Sequence, residues 1–420
     1  MIKWIVLIAL ILFTNSCDKV TKKYKACSIK DQNEFVYRYM QKNYLWNSTM
    51  PELDYLSYNS PEELLEDLKD PKDHWSFIID TKALNSYFNE GKYIGLGIKF
   101  SDENGDIYIS LVYQNSPAFN AGIKRGMKLI SINGKLVKDM NSQEIHEAFG
   151  KNEVGVAVNL ELEYNNQINE YNLTKAEIDA KSVITTKIIN DGNNKIGYIV
   201  FDKFVGFSND ELDRAFKEFK SANINKLIVD LRYNEGGLVD VAQHLASLIH
   251  PSNDIFVKMK FNQQNSIKNS QLYFTRLNNS LENLDGIYFI TTKYTCSASE
   301  AVINGLKPYV DNIFMIGQKS CGKPVGMIGD NFCGKSILPI EFKITNANDE
   351  GDYFGGMTPN CYASDDIKHS FGDRDESMLR ATLDLIDYNV CESSSNKQAR
   401  RVSNKSRLQL FGIHKITGAY

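Results

Sequence analysis

The spacing of apolar residues changes twice along the chain. From Asp31 to about Leu84 they recur at intervals of three to four, through Phe35, Tyr39, Tyr44 and Leu45 and then Leu64, Leu65 and Leu68, which predicts a small helical unit. From Gly91 to about Ile178 the pattern becomes strand-like. Ile107–Tyr113 and Val156–Tyr164 carry the β-branched and aromatic residues, in near alternation, of half-buried strands. From Asp179 onward, short apolar runs alternate with amphipathic ones. Lys195–Phe201 and Leu227–Leu231 predict strands, the second buried on both faces, while Asn209–Ser221 and Leu238–Ile249 predict helices. This is an α/β pattern of crossover units, and no repeat of 20 to 50 residues is present, which excludes a solenoid.

The N-terminus stands apart. Lys3 precedes an unbroken apolar run, Trp4–Phe13, too short to span a bilayer and matched to the apolar region of a secretory signal. Thr14-Asn15-Ser16 follows, then Cys17. Small Ser16 before Cys17 resembles a bacterial lipoprotein processing site, in which Cys17 becomes the lipidated first residue, although Thr14 stands where leucine is usual. A plain signal peptide cleaved near Cys17 is the alternative. The expectation is an exported, cell-envelope protein held to a bacterial membrane by a lipid anchor. In an oxidising compartment the other cysteines, at 27, 296, 321, 333, 361 and 391, are permitted disulfides. Cys296 and Cys321 are each expected to be small buried hydrophobes rather than thiol nucleophiles. There is no C-x-x-C and no Cys/His cluster of zinc spacing, so neither a metal nor another cofactor is expected. A formal net charge of −4 with 24% charged residues gives no basic patch, which argues against nucleic acid as a partner.

Within the strand-rich region, Ser116-Pro-Ala-Phe-Asn-Ala-Gly122 leads into Met127-Lys-Leu-Ile-Ser-Ile-Asn-Gly134. This run resembles the PDZ domain, with Met127 where an aspartate is usual. Gly95-Leu96-Gly97-Ile98 stands where that family has its carboxylate-binding loop. In such a loop successive backbone N–H groups converge on a peptide's terminal carboxylate while the peptide adds to the sheet edge.

Candidate chemistry lies further on. Thr295-Cys296-Ser297-Ala298-Ser299-Glu300 follows the strand-like Gly286–Ile290 and opens the helix-like Ala301–Leu306, so Ser297 sits at a strand-to-helix turn. Ser297 with Glu300 is also a capping box, which needs no chemistry. Asp230-Leu-Arg-Tyr-Asn-Glu-Gly-Gly237, Ser297-Ala-Ser-Glu300 and Gly322-Lys323 together resemble, in order and spacing, the signature blocks of the C-terminal processing peptidases, serine proteases that carry a PDZ domain. The resemblance covers about Tyr37 to Asp387. It implies a crotonase- or ClpP-like ββα catalytic domain, an inserted or preceding PDZ domain, and a small N-terminal helical domain. The implied segments are 1–17 signal peptide, 18–90 tether and helical domain, 91–178 PDZ domain, 179–390 peptidase domain and 391–420 polar, basic tail.

The resemblance also implies roles. Ser297 attacks a peptide carbonyl; Lys323 takes its proton, which requires a neutral lysine. Backbone N–H groups of Ala298 and of Gly236 or Gly237 hold the oxyanion. Gly95, Leu96, Gly97 and Ile98 bind the accessible C-termini of protein or peptide substrates. Asp230 and Arg232 are expected to brace the glycine turn as an ion pair, and His74 and His244 to be structural. Family members commonly have a glutamine four residues after the lysine, where this chain has Met327. The alternative is therefore a catalytically weak or inactive peptide-binding envelope protein on the same scaffold. Oligomeric state and physiological substrate are left open.

Overall fold

The computed structural model describes residues 27–103, 105–391 and 420. Cys17 and the apolar run before it lie outside the described residues.

The helix Ile29–Asn43 begins at a capping box between Ser28 and Asp31, and Pro61–Leu68 begins at Ser60 with proline in its first turn. Their buried face, Val36, Met40, Tyr44, Leu64, Leu65 and Leu68, packs on Val325, Phe332, Ile337 and Ile340 from late in the chain. The helical unit thus completes the core of the larger domain. A disulfide between Cys27 and Cys333 ties its start to the same region. The helical expectation fails at Phe77–Asp80, which is a strand paired antiparallel with Lys335–Leu338. Four residues are too few to display a period, and the pairing partner lies far away in sequence.

Residues 98–174 form a sheet of the strands Ile98–Glu103, Asp106–Val112, Lys128–Ile132, Ala157–Tyr164 and Gln167–Thr174, with the short helices Pro117–Asn120 and Ser142–Ala148 against it. Its core includes Ile98, Ile107, Ile109, Leu129, Val158 and Leu160. Met127 is buried in that core, so the departure at this position is a packing choice.

The largest domain is built on a six-stranded sheet in the order Val183–Asp191, Asn194–Phe201, Lys226–Asp230, Gly286–Thr291, Ile313–Gly317, Cys361–Tyr362. The first pair is antiparallel and the others parallel. Alternate side chains face opposite layers. Ile199, Phe201, Leu227, Val229, Ile287 and Phe289 pack against the helices Ser208–Ala222, Val239–Ile249 and Ala298–Leu306. Ile196, Tyr198, Ile228, Tyr288 and Ile290 pack with Met378, Leu379 and Leu383 of the helix Ser377–Tyr388. Coverage on both faces explains why these strands read as continuous apolar runs. Among the described residues, no helix is long and apolar enough to cross a membrane.

Buried charges fasten the PDZ-like unit to this domain. Lys99, one position beyond the glycine loop, pairs with Asp202 at 2.7 Å and donates to the Tyr233 carbonyl at 3.2 Å. Arg125 pairs with Asp365 at 2.7 Å, and the same carboxylate receives Arg232 at 2.9 Å. Burial alone would raise the Asp365 carboxyl, but the guanidiniums of Arg125 and Arg232 outweigh it and hold it below the usual range. Arg232 also grips Asp230 and Glu376, each at 2.8 Å, so the expected bracing pair exists within a larger cluster.

Candidate active site

The segment after the central strand Gly286–Thr291 is fixed mostly by backbone groups. The Thr295 hydroxyl donates to the Leu231 carbonyl, and the Cys296 N–H and Ser299 hydroxyl both donate to the Asn234 carbonyl at 3.0 Å. These bonds draw the turn that follows the strand Lys226–Asp230 against the one that carries Ser297. Gly236, at φ +97°, is the point of contact: a Cβ there would lie 2.8 Å from the Ser297 Cβ and 2.9 Å from the Ala298 nitrogen. Only glycine fits that approach.

Ser297 precedes the helix Ala298–Leu306 and has φ +56° and ψ −113°. For a non-glycine residue such a backbone costs on the order of 1–3 kcal/mol and is held by its surroundings. Glu300 supplies the hold. One of its carboxylate oxygens accepts the N–H groups of Ser297 at 3.0 Å and Lys323 at 2.8 Å; the other accepts the Ser320 hydroxyl at 2.6 Å and the Gly322 N–H at 2.8 Å. Burial raises the Glu300 carboxyl above its ordinary value, and these four hydrogen bonds oppose the rise. The Glu300 half of the capping box is therefore made, and it reaches beyond the helix to grip the lysine loop.

A disulfide between Cys296 and Cys321 joins the same two loops, with Cα atoms 5.2 Å apart. This corrects the expectation of two separate small hydrophobes: the two half-buried cysteines are bonded to each other. The Cys296, Cys321 and Glu300 ligand atoms lie close enough to be taken for a metal triple, but joined sulfurs offer no thiolate. The third pair is Cys361–Cys391.

Ser297 and Lys323 line one cavity of ≈ 670 Å³, together with Glu235, Gly236 and Gly237. The Trp75 ring lies 6.0 Å from the Lys323 ammonium nitrogen. Met327 also lines this cavity and packs against two apolar clusters, so no side-chain amide at this position can orient the lysine. Of the expected oxyanion donors, the Gly236 N–H is given to the Asn234 side-chain oxygen at 2.9 Å. The contacts with Phe204 use the Gly236 carbonyl and the Leu238 N–H, not the Gly237 N–H. Gly237 and Ala298 remain the candidate donors.

Glu235 is the residue that motif reading passed over. It lies in the cavity wall with its carboxyl pushed up to about 7, chiefly by burial, with Asp202 adding to the rise and Lys99 and Lys323 countering it. It is not one of the residues that carry the resemblance in the Asp230–Gly237 block, and its neighbourhood depends on Lys99 from another domain. His74 also borders the cavity, while His244 pairs with Asp213 at 3.2 Å. In the PDZ-like unit, Gly97 and Ile98 donate their N–H groups to the backbone oxygen of Tyr420, at 2.9 and 3.0 Å. Leu96 is buried beneath the loop, and Gly95 faces the Tyr420 backbone.

Three family models match in chain order: the peptidase S41 N-terminal domain over residues 31–77, the PDZ domain over 95–174, and peptidase family S41 over 195–362. A CtpA-like serine protease of Staphylococcus saprophyticus is 24% identical over 86% of this chain and 74% of its own length. One from Staphylococcus aureus is 26% identical over 80% of this chain and 64% of its own, so the chain spans under two thirds of that relative. A crystal structure of an S41 protease from Bacteroides fragilis, 24% identical, superposes with a TM-score of 0.67 over 85% of this chain and 97% of the other, which speaks to fold. In succession along the chain, then, stand a peptidase S41 N-terminal domain, a PDZ domain and a peptidase family S41 domain.

Proposed function

We propose that this chain is an exported serine endopeptidase that recognises accessible C-termini of envelope proteins at Gly95–Ile98 and cleaves them with Ser297 as nucleophile and Lys323 as general base. The observation that carries the reading is the single cavity lined by Ser297, Lys323 and the glycine turn. Lys323 in its neutral form takes the Ser297 hydroxyl proton as the oxygen bonds to the carbonyl carbon. The oxyanion is received by the N–H groups of Gly237 and Ala298. Collapse breaks the C–N bond, the lysine gives its proton to the leaving amine, and an acyl-enzyme remains. Water then attacks the ester, losing its proton to the same lysine, and Ser297 is regenerated. With Met327 in the glutamine's place, orientation of the base falls to the Glu300 clamp on its backbone.

All six cysteines among the described residues are paired, which supports export to an oxidising compartment. Attachment to a membrane through lipid on Cys17 is part of the proposal. The test is covalent labelling with a fluorophosphonate that reacts only with an activated serine. The expected result is one adduct, on Ser297, with degradation of an unfolded protein lost in proportion to labelling. Degradation that persists after complete labelling of Ser297 would exclude it as the nucleophile.

The disulfide between the catalytic loops gives a second expectation. Replacing Cys296 and Cys321 together by alanine releases a short loop and lowers stability by about 3 kcal/mol. Activity is expected to fall about tenfold, because a displacement of about 1 Å at a catalytic group costs up to about 10²-fold. The Cys361→Ala/Cys391→Ala variant, whose bridge lies outside the cavity lining, should lose thermal stability and keep kcat. Equal kcat losses in the two variants would remove any special role from the Cys296–Cys321 bridge.

A further inference from the structure

The peptide groove of the PDZ domain is filled by the chain itself. Besides the two N–H groups given to its backbone oxygen, Tyr420 donates its own N–H to the Ile98 carbonyl at 2.6 Å, so its backbone adds to the strand that begins at Ile98. Its side chain is 1% exposed and enters the PDZ core. The ring lies 4.4 Å from that of Phe149 in a tilted contact and 5.6 Å from Phe100 edge to face, with His146 at 6.5 Å. At Gly95 a Cβ would come within 2.8 Å of the Tyr420 backbone carbon, so the loop's glycine is what admits the occupant. Tyr420 also lines the cavity that holds Ser297 and Lys323.

We propose that the groove is specific for peptide ends whose last side chain is aromatic, and that Tyr420 of the same chain is its resident ligand, which a substrate end must displace. This rests on the peptidase reading above only for the word substrate. The selectivity follows from the walls: two phenylalanine rings offer area and edge-to-face contacts, each such ring pair worth about 0.5–1.5 kcal/mol, while an acidic side chain would give up its water to these rings. The competition follows from tethering. Residues 392–419 connect Cys391 to Tyr420, and a ligand on such a tether acts at an effective concentration on the order of 1 mM. Against an intrinsic Kd of about 10–100 μM, that weakens any added peptide by about 10- to 100-fold.

The test is a binding measurement on the full chain carrying Ser297→Ala, which keeps the probe from being consumed. A fluorescent peptide of the sequence Lys-Ile-Thr-Gly-Ala-Tyr, that of residues 415–420, is titrated into this protein and into the same protein with Tyr420→Asp. The expected result is binding at least about tenfold tighter to the Tyr420→Asp protein, with the same peptide ending in aspartate binding at least about tenfold more weakly than the tyrosine form. Hydrogen exchange at Gly97 and Ile98 reports the groove directly and should speed up in the Tyr420→Asp protein. Equal affinity with and without Tyr420 would overturn self-occupancy, and equal affinity for the two peptides would overturn the aromatic preference. An affinity that falls as protein concentration rises would assign the occupant to a second copy and overturn occupancy within one chain. Since no cleavage is read, these outcomes stand or fall apart from the labelling of Ser297.

Discussion

Alanine in place of Ser297 is expected to lower kcat/KM on an unfolded protein by about 10⁴-fold or more, and methionine in place of Lys323 by a similar factor. If the two groups act in one proton transfer, as proposed, the double variant should be no worse than either single one. Ser297 lines the cavity and is only half-buried, so its loss should leave the thermal midpoint near that of the parent. Lys323→Arg separates chemistry from charge. Arginine keeps a cation in the same loop but does not give up its proton near neutral pH, so it cannot serve as the base. If Lys323 acts as the base, the arginine variant should be as inactive as the methionine one. Recovery of activity with arginine would mean that Lys323 contributes only its charge. The measurement is initial rates of degradation for the parent and the four variants, with thermal unfolding run alongside.

The glycine turn and the turn that carries Ser297 were legible in sequence because their demands on the backbone leave few residue choices. Gly236 must be glycine to stand against Ser297, and the run from Ser297 to Glu300 is set by a strand-to-helix turn. Three of the parallel strands were equally clear, since burial on both faces requires apolar runs at Ile196–Phe201, Leu227–Val229 and Ile287–Ile290, whereas Ile313–Gly317 and Cys361–Tyr362 were not read as strands. What escaped depends on neighbours distant in sequence. Glu300 read as a local cap because its Ser297 bond is three residues away, whereas its other partners, Ser320, Gly322 and Lys323, come from a loop brought close only by the fold. Cys296 carries no sign of Cys321 in its surroundings along the chain. Tyr420 shows why a polar, basic segment could not be assigned from composition: its seat is supplied by Ile98, Phe100 and Phe149, which read as ordinary core positions.

Glu300 should be the most sensitive residue outside the catalytic pair. Alanine there leaves the N–H groups of Ser297, Gly322 and Lys323 and the Ser320 hydroxyl without their acceptor, in a place where the carboxylate itself is fully buried. Each unsatisfied buried donor costs about 1–3 kcal/mol, and water entering the space left by the side chain offsets part of it. A net loss of about 3–5 kcal/mol in stability is expected for Glu300→Ala, comparable with removing one partner of a buried ion pair. Glutamine is the informative change. It keeps the shape and one acceptor oxygen but turns an NH₂ group toward donors, so one side of the clamp must open. If the oxygen stays with Ser320 and Gly322, the N–H groups of Ser297 and Lys323 are released together. Stability should then fall by about 1–3 kcal/mol, while kcat falls by about 10²-fold and KM for the same substrate changes little. A residue that only supported folding would lower the thermal midpoint and leave kcat of the folded fraction intact. Measuring kcat and KM well below the unfolding transition of Glu300→Gln separates the two roles: a parental kcat would reduce Glu300 to a helix cap, and a lowered one at constant KM would make it the group that holds serine and lysine in register.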